Sequence, residues 1–421
     1  MKKVLIISYF YPPANFAGSY RVAAWAKHLK KLGHEVVVIT RHWEENCTDY
    51  SAINDKSESC EIDSNGVKIY RLPYKGTFRD RIVEKYSGLK GFAKIFSVFN
   101  LIFSNYFIRL NPSYNLYKKA EEIVEKEGIN WVLTSGRPFF QFQFLVRLKN
   151  KFPKIRTLGD YRDPWNTNTN ISSSLKRKFL KLLETPLERK LTKQIDILTT
   201  CSEGFSKSIS SLSINRAVHI ITNGFEKFHY NEMLTNNGYI EIAYIGSLYK
   251  NQRIELFLNS INQLVKHNKE FKLIFYGLSN QSDALKRIKL NLKSGKLDFE
   301  VKPWMRKTEM INAAMKHDCF LICGIPSRKG TYTAKFFDYL SFQKNIILCP
   351  SDNDILEKEI KRLNIGVVLK NENEIKNWYE DLSNNNFVWD YEGNIDEIAE
   401  FKYENQVKKL NSIIENFDHE T

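Results

Sequence analysis

Four short stretches gather residue types that can do chemistry. The first, YPPANFAGSYR, sets Gly18 and Ser19 at the start of a helical pattern. Glycine lets backbone come close to a ligand, and the free N–H groups of a helix start favour anions. The second pairs TSGRPFF with GDYRDPW further on, where Asp160, Arg162 and Asp163 crowd beside Pro164 and Trp165. Ionisable groups packed against an aromatic at a strand end are costly unless they bind or react. Asp163, Arg162 and Asp160 are therefore the candidate catalytic residues, the alternative being an Arg–Asp pair that fixes a loop. In the third, YIGSLYKNQRIE, Gly246 ends an apolar run, and Ser247, Lys250 and Arg253 can meet an anion. The fourth, GIPSRKGTYTAKFFDYLSF, places Gly330, Thr331 and Thr333 ahead of a helix with Lys335 in its first turn and Asp338 just after. Helix N–H groups with Lys335 can hold a diphosphate, and Asp338 can accept paired hydrogen bonds from a ribose. A capped helix with a surface lysine would explain the fourth stretch alone. The cation of the third, on a neighbouring strand, favours an anion site.

Other chemistries lack their signatures. No P-loop, GxGxxG, HExxH, GxSxG or zinc spacing occurs, which argues against an NTPase, a typical dinucleotide enzyme and the common hydrolases. The six cysteines are scattered, and Cys319 and Cys323 lie in an apolar run that reads as a buried strand. No metal and no cofactor is expected.

The elements that must position these stretches follow from periodicity. VLIISYF, EVVVIT, GVKIYRLP, WVLTSG, RTLGDYRD, ILTTCS and AVHIITNG read as strands, with a helix over 19–32. After the polar linker EKFHYNEMLTNNG the pattern restarts with EIAYIGS, KLIFYG, DFEVK, DCFLICG, NIILCP and GVVLK. Continuous apolar runs alternating with helices predict parallel sheets covered on both faces. The fold class is α/β, with two doubly wound Rossmann-like domains facing across a cleft and ligands at the carboxyl ends of the strands. Residues 1–228 form the first domain and 238–394 the second, and a helix in 395–421 packs back on the first. A length of 421 residues suits two domains.

The net charge is +15. Residues 75–119 hold nine Lys or Arg against two acids and enclose GFAKIFSVFNLIFSNYFIRL. There Phe92, Ile95, Phe96, Phe99, Phe103, Tyr106, Phe107 and Leu110 recur at helical steps. Lys94, Ser97, Asn100, Ser104 and Arg109 interrupt them, so the run lacks the roughly 20 apolar residues of a spanning helix. It reads either as a core-facing helix or as one resting on an anionic membrane through Lys85, Lys90, Lys94 and Arg109. The start of the chain does not read as a signal peptide, and a cytoplasmic location, peripheral at the inner membrane face, is expected. No nucleic-acid-binding module is present, so nucleic acid is not an expected partner.

In order and spacing, YPP with Gly18, Ser19 and Arg21, then TSGRPFF, RDPW, CSEGF, ITNGF, YIGS with Arg253, and TAKFFDYLSFQKNIIL resemble one family. The chain is similar, over nearly its whole length, to the retaining family 4 glycosyltransferases of GT-B fold, especially bacterial ones that build surface polysaccharides. The resemblance implies a nucleotide-sugar donor bound by the second domain and a lipid-linked or glycan acceptor bound by the first. It implies that Arg253 and Lys335 neutralise the donor diphosphate, with Gly18, Ser19, Gly246, Thr331 and Thr333 around it. Pro303 and Trp304 would meet the base and Asp338 the ribose, with no metal. Two departures concern the sugar. Family members often carry paired glutamates where this chain has Gly330 and Asp338, and many have His-Asp where it has Arg162 and Asp163. A sugar-nucleotide epimerase is the alternative, and its acid/base pair would have to come from Asp160 and Asp163.

Overall fold

The computed structural model describes residues 1–45, 47, 52–85, 106–166, 175–212, 217–229, 239–265, 271–279, 281–292, 297–303, 305–385 and 388–420. The chain divides into two compact units, one of Met1–Thr222 with Tyr403–Thr421, the other of Asn223–Lys402. The divisions at 222 and 402 differ from the sequence-based bounds 1–228 and 238–394.

Unit one contains β1 (Lys3–Ile7), α1 (Ala17–Lys31), β2 (Glu35–Arg41), β3 (Ser59–Ile62), β4 (Lys68–Leu72), α2 (Phe78–Lys85) and α3 (Tyr114–Glu127). There follow β5 (Trp131–Gly136), α4 (Gln141–Lys151), β6 (Arg156–Tyr161), α5 (Leu175–Thr192), β7 (Ile197–Thr200), α6 (Glu203–Ser210) and β8 (Val218–Ile220). The sheet order is β3-β4-β2-β1-β5-β6-β7-β8. β1 shows why its residues make a central strand. Leu5 and Ile7 enter one core cluster and Val4 and Ile6 another, so both faces of the strand are buried.

One strand departs from the all-parallel expectation. β3 runs antiparallel to β4, pairing Ser59 with Arg71 and Ile62 with Lys68. Its turn is built by Asp63, whose Oδ1 accepts from the amides of Asn65 at 2.8 Å and Val67 at 2.9 Å. SCEI is exposed on both faces, and its polar-apolar alternation spans only four residues, the lower limit of a strand signal.

Unit two contains β9 (Ile240–Ile245), α7 (Ile254–Leu264), β10 (Phe271–Tyr276), α8 (Ser282–Asn291), β11 (Asp298–Lys302), α9 (Lys307–Ala314) and β12 (Cys319–Ile322). It continues with α10 (Ala334–Phe342), β13 (Asn345–Leu348), α11 (Ile355–Leu363), β14 (Gly366–Val368), α12 (Glu372–Asn384) and α13 (Ile395–Ala399). Its six strands are all parallel, in the order β11-β10-β9-β12-β13-β14.

The last helix, α14 (Tyr403–Glu420), belongs to unit one. Val407, Leu410 and Ile414 pack with Val22, Trp25 and Leu29 of α1, and the Trp131 indole donates to Asp418 Oδ2 at 3.2 Å. The stretch read as one helix from 395 is thus two, with α13 in unit two. Most of the basic aromatic run, residues 86–105, lies outside the described residues. Just beyond it, Ile108 is buried while Phe107 and Leu110 are exposed. Among the described residues no helix is long and apolar enough to cross a membrane.

Leu410 is fully buried between α14 and α1. Leu410→Ala should lower the stability of unit one by about 2–5 kcal/mol in urea unfolding, and Leu410→Met by less than about 1.5 kcal/mol.

Candidate functional site

In unit one, β1, β5 and β6 lie side by side in parallel register, so the loops at their carboxyl ends share one edge. Arg21, one turn into α1, is buried beneath them. Its Nε donates to Asp160 Oδ2 at 3.0 Å and its Nη2 to Asp160 Oδ1 at 2.8 Å, a bidentate pair. It also donates to the carbonyls of Ile221 and Thr222, each at 2.7 Å. Burial opposes the guanidinium charge, yet Asp160 more than offsets this and holds the pKa of Arg21 above its ordinary value. Asp160 further accepts from the hydroxyls of Ser135 at 2.6 Å and Thr199 at 2.8 Å.

Asp160 is therefore fully buried and its oxygens are occupied. It organises the edge by tying α1, β5, β6 and β7 together. Arg162 and Asp163 stand beyond it. The Arg162 guanidinium lies on the first turn of α1, where a Cβ added to Gly18 would come within 1.6 Å of Nη1. Gly18 thus serves close approach, here of a side chain of the same unit. Arg162 Nε donates to Asp163 Oδ2 at 3.4 Å, and the Asp163 side chain remains half exposed. Ser19 is buried, and its hydroxyl oxygen meets no hydrogen-bond partner among the described residues. At the far end of the loop the Trp165 ring stacks on Phe139, 4.9 Å between centroids and 5° between planes. Asn166 Nδ2 donates to Glu188 Oε2 at 3.0 Å.

In unit two the corresponding edge is formed by β9 and β12. Gly246, just after β9, has φ +89°, the left-handed region open to glycine. The loop that follows is fastened by buried polar groups. Tyr244 donates to the Ser247 carbonyl at 2.9 Å. Gln252 accepts from the Tyr249 amide at 2.9 Å and donates to the Cys323 carbonyl at 3.0 Å, tying the loop to the end of β12. Arg287 of α8 donates to the carbonyls of Tyr249 and Gln252 and pairs with Glu255 at 2.6 Å. Arg253 follows Gln252 as the exposed residue before α7 and forms no ion pair among the described residues. Lys250 instead pairs with Asp283 at 3.4 Å.

The loop after β12 approaches from the other side. Gly330 donates its amide to Asp354, and Lys329 donates to the Asn353 carbonyl at 2.9 Å. Thr333 precedes α10 with a buried hydroxyl oxygen that has no partner among the described residues. Thr331 is half-buried. No acid lies in the first turn of α10. There the Lys335 ammonium sits 3.6 Å from the centroid of the Tyr244 ring and donates to the Ser247 carbonyl at 3.3 Å. It makes no ion pair among the described residues, and burial pushes its pKa down to about 7. A cation held by a ring face and one carbonyl, beside free helix amides, is suited to an anion.

Asp338 lies one turn further along α10 and is half-buried. Pro303 is exposed at the carboxyl end of the edge strand β11, and Trp304 lies outside the described residues. The structure thus gathers Gly18, Ser19, Arg162 and Asp163 on unit one, and Gly246, Thr333 and Lys335 on unit two. Sequence reasoning missed Tyr244, Gln252 and Arg287, which position the second group. A tyrosine near the end of a buried strand was their one available signal, because its hydroxyl must find a partner. Burial pushes the Cys201 and Cys323 thiols up to about 12, which leaves neither a nucleophile near neutrality. Among the described residues no three His, Cys, Asp or Glu side chains are placed to hold a metal.

Asp160→Ala should cost about 3–5 kcal/mol in denaturant unfolding, because Arg21 is left charged and buried. Asp163→Ala, at a half-exposed residue, should stay within about 0.5 kcal/mol of the parent.

No protein-family model and no curated protein matches the sequence. Solved structures do resemble it. Sucrose-phosphate synthase from Thermosynechococcus elongatus is 12% identical, with all of both chains covered and a TM-score of 0.66. A glycosyltransferase from Rickettsia africae is 15% identical over 99% of this chain and 98% of its own, with a TM-score of 0.61. A Listeria monocytogenes protein described as a UDP-N-acetylglucosamine 2-epimerase is 9% identical over 100% and 98%, with a TM-score of 0.54. With its two parallel-sheet domains, the chain has the fold of the GT-B glycosyltransferases.

Proposed function

We propose that the protein is a glycosyltransferase that moves a sugar from a nucleotide-sugar donor to a lipid-linked or polysaccharide acceptor. In this reading transfer proceeds with retention and serves the building of cell-surface polysaccharide. The observation that carries it is Lys335, an ammonium at a helix start with no carboxylate partner among the described residues.

As the bond between sugar and diphosphate breaks, negative charge collects on the leaving phosphate. Lys335, Arg253 and the first amides of α10 offset that charge, which lowers the barrier. Gly246 and Thr331 leave room for the phosphates, and the unpartnered Thr333 hydroxyl can donate to one of them. Asp338 accepts from the ribose, and Pro303 and Trp304 border the base. On unit one, Arg162 and Asp163 are the residues offered to a sugar or acceptor, while Gly18 is covered by the Arg162 guanidinium and Ser19 is buried. The cations do the work a metal would otherwise do.

A membrane location of the acceptor agrees with α5. Its described cations Lys178, Lys181, Arg189 and Lys190 are exposed together with Leu182, whereas Glu184 and Glu188 are both buried. That outward face suits an anionic bilayer. The double variant Lys178→Glu, Lys181→Glu should lose co-sedimentation with phosphatidylglycerol vesicles, and unchanged sedimentation would remove the membrane from this reading.

The epimerase-like neighbour supports a second reading, sugar-nucleotide epimerisation. The two differ in what happens to donor alone. An epimerase converts it to an isomer, and a transferase needs the acceptor. A thermal-shift screen of UDP, GDP, CDP and dTDP sugars identifies the donor, since a ligand of the native state raises its melting temperature.

With that donor, Lys335→Ala or Arg253→Ala should lower turnover by at least about 100-fold, roughly 2.7 kcal/mol. Normal kinetics in both would overturn the assignment. The sign of the pH effect follows from the lowered lysine pKa. The diphosphate favours the ammonium, which is full below about 7 and lost above it. Donor affinity should be flat at acid pH and fall about tenfold per pH unit above neutrality, and Lys335→Met should abolish the slope.

A further inference from the structure

The loop from Arg162 to Asn166 is fastened at three points. At its start the Cys201 thiol donates to the Arg162 carbonyl at 3.1 Å. Near its end Trp165 stacks on Phe139. Its last residue, Asn166, donates to Glu188 of α5 at 3.0 Å. The first two hold no group that titrates near neutrality. The third is different, because Asn166 and Glu188 are both buried and one of them is ionisable.

Glu188 forms no ion pair among the described residues. The groups that face it are Tyr161 at the end of β6, Asn166 of the loop, and Glu184 one turn earlier on its own helix. None is a cation, and Glu184 is itself buried. Placing charge here means desolvating a carboxylate beside a second carboxylate, against the help of one amide and one phenol. Burial accordingly pushes the Glu188 carboxyl up to about 7. A leucine would fill the same space without that cost, so the carboxyl matters for the bond it makes.

We propose that Glu188 is a positioning residue, whose bond to Asn166 fixes where Arg162 and Asp163 stand. When it ionises, the carboxylate draws water or shifts outward, and the end of the loop moves with it. Glu188 touches no substrate and acts through Asn166. The inference rests on the reading of this loop as part of the sugar-transfer site.

The test uses the full chain and two readouts. The first needs no substrate. The near-ultraviolet circular dichroism of Trp165, taken as the difference between the protein and its Trp165→Phe variant, is followed from acid to alkaline pH. It should change in one step centred near the Glu188 pKa, and Glu188→Gln, which keeps an acceptor for Asn166 without the charge, should abolish that step. The second readout is turnover with the donor and acceptor of the parent. Glu188→Gln should stay within about threefold of the parent at acid pH and keep only that part of the alkaline decline in kcat that Lys335 causes, and Glu188→Ala should lower kcat about tenfold with little change in KM. Should Glu188→Ala fail to fold, Asn166→Ala, which leaves the acid in place, should show the same fall in kcat. A flat signal in the parent, an unaltered step in Glu188→Gln, or parental kcat in both alanine variants would overturn the proposal. If the spectral step vanishes in Glu188→Gln but the protein transfers no sugar, the coupling of Glu188 to the loop stands and the functional reading fails.

Discussion

A guanidinium and a carboxylate sealed from water dictate the form of unit one. Removing two such ions from solvent costs several kcal/mol each, and only near-complete hydrogen bonding makes it tolerable. Arg21 and Asp160 obtain this from Ser135 on β5, Thr199 on β7 and the carbonyls of Ile221 and Thr222. The Thr222 amide in turn donates to Gln406 of α14 at 2.9 Å. Five separate pieces of chain must therefore arrive together before either charge can be buried. The pair makes the carboxyl edge of this sheet a single cooperative object, and it leaves Arg162 and Asp163 to stand outside it.

Unit two solves the same problem without a buried ion pair at its edge. Tyr244, Gln252 and Arg287 hold the 246–253 loop through hydrogen bonds to its own carbonyls and amides. That fixes the backbone while leaving Arg253 in solvent and Lys335 without a counter-charge among the described residues. Dipoles and cations fixed in advance need no reorganisation when charge develops on a ligand, and this is where electrostatic stabilisation is most effective. The two edges differ in kind. One commits its buried ions to architecture, and the other, besides the Arg287–Glu255 pair, presents Lys335 with no carboxylate partner among the described residues.

Much of this was legible in the residues. Runs such as EVVVIT and NIILCP are too uniformly apolar to be anything but strands buried on both faces, and they are β2 and β13. The helix that opens at TAKFF could be read from its threonine and the apolar pattern behind it, and Lys335 falls in its first turn. Other features could not be read. SCEI is four residues long and exposed on both faces, so its brief alternation did not mark β3. GDYRD presents three charged residues within four positions, and which of them turns inward depends on Arg21, far away in sequence. Gln252 looks like any polar loop residue, because its role is set by a carbonyl on a strand that the sequence does not place beside it. Local pattern reveals elements, whereas the fate of a charge is decided by its distant neighbours.

The contact between Gly18 and Arg162 carries a consequence for inheritance. The guanidinium occupies the space that any larger residue at 18 would need. The loop position can change alone, whereas a lineage that gained a methyl group on the helix would have to swing aside or shorten the side chain on the loop. Across related genes, change in the helix codon should therefore follow change in the loop codon more often than precede it.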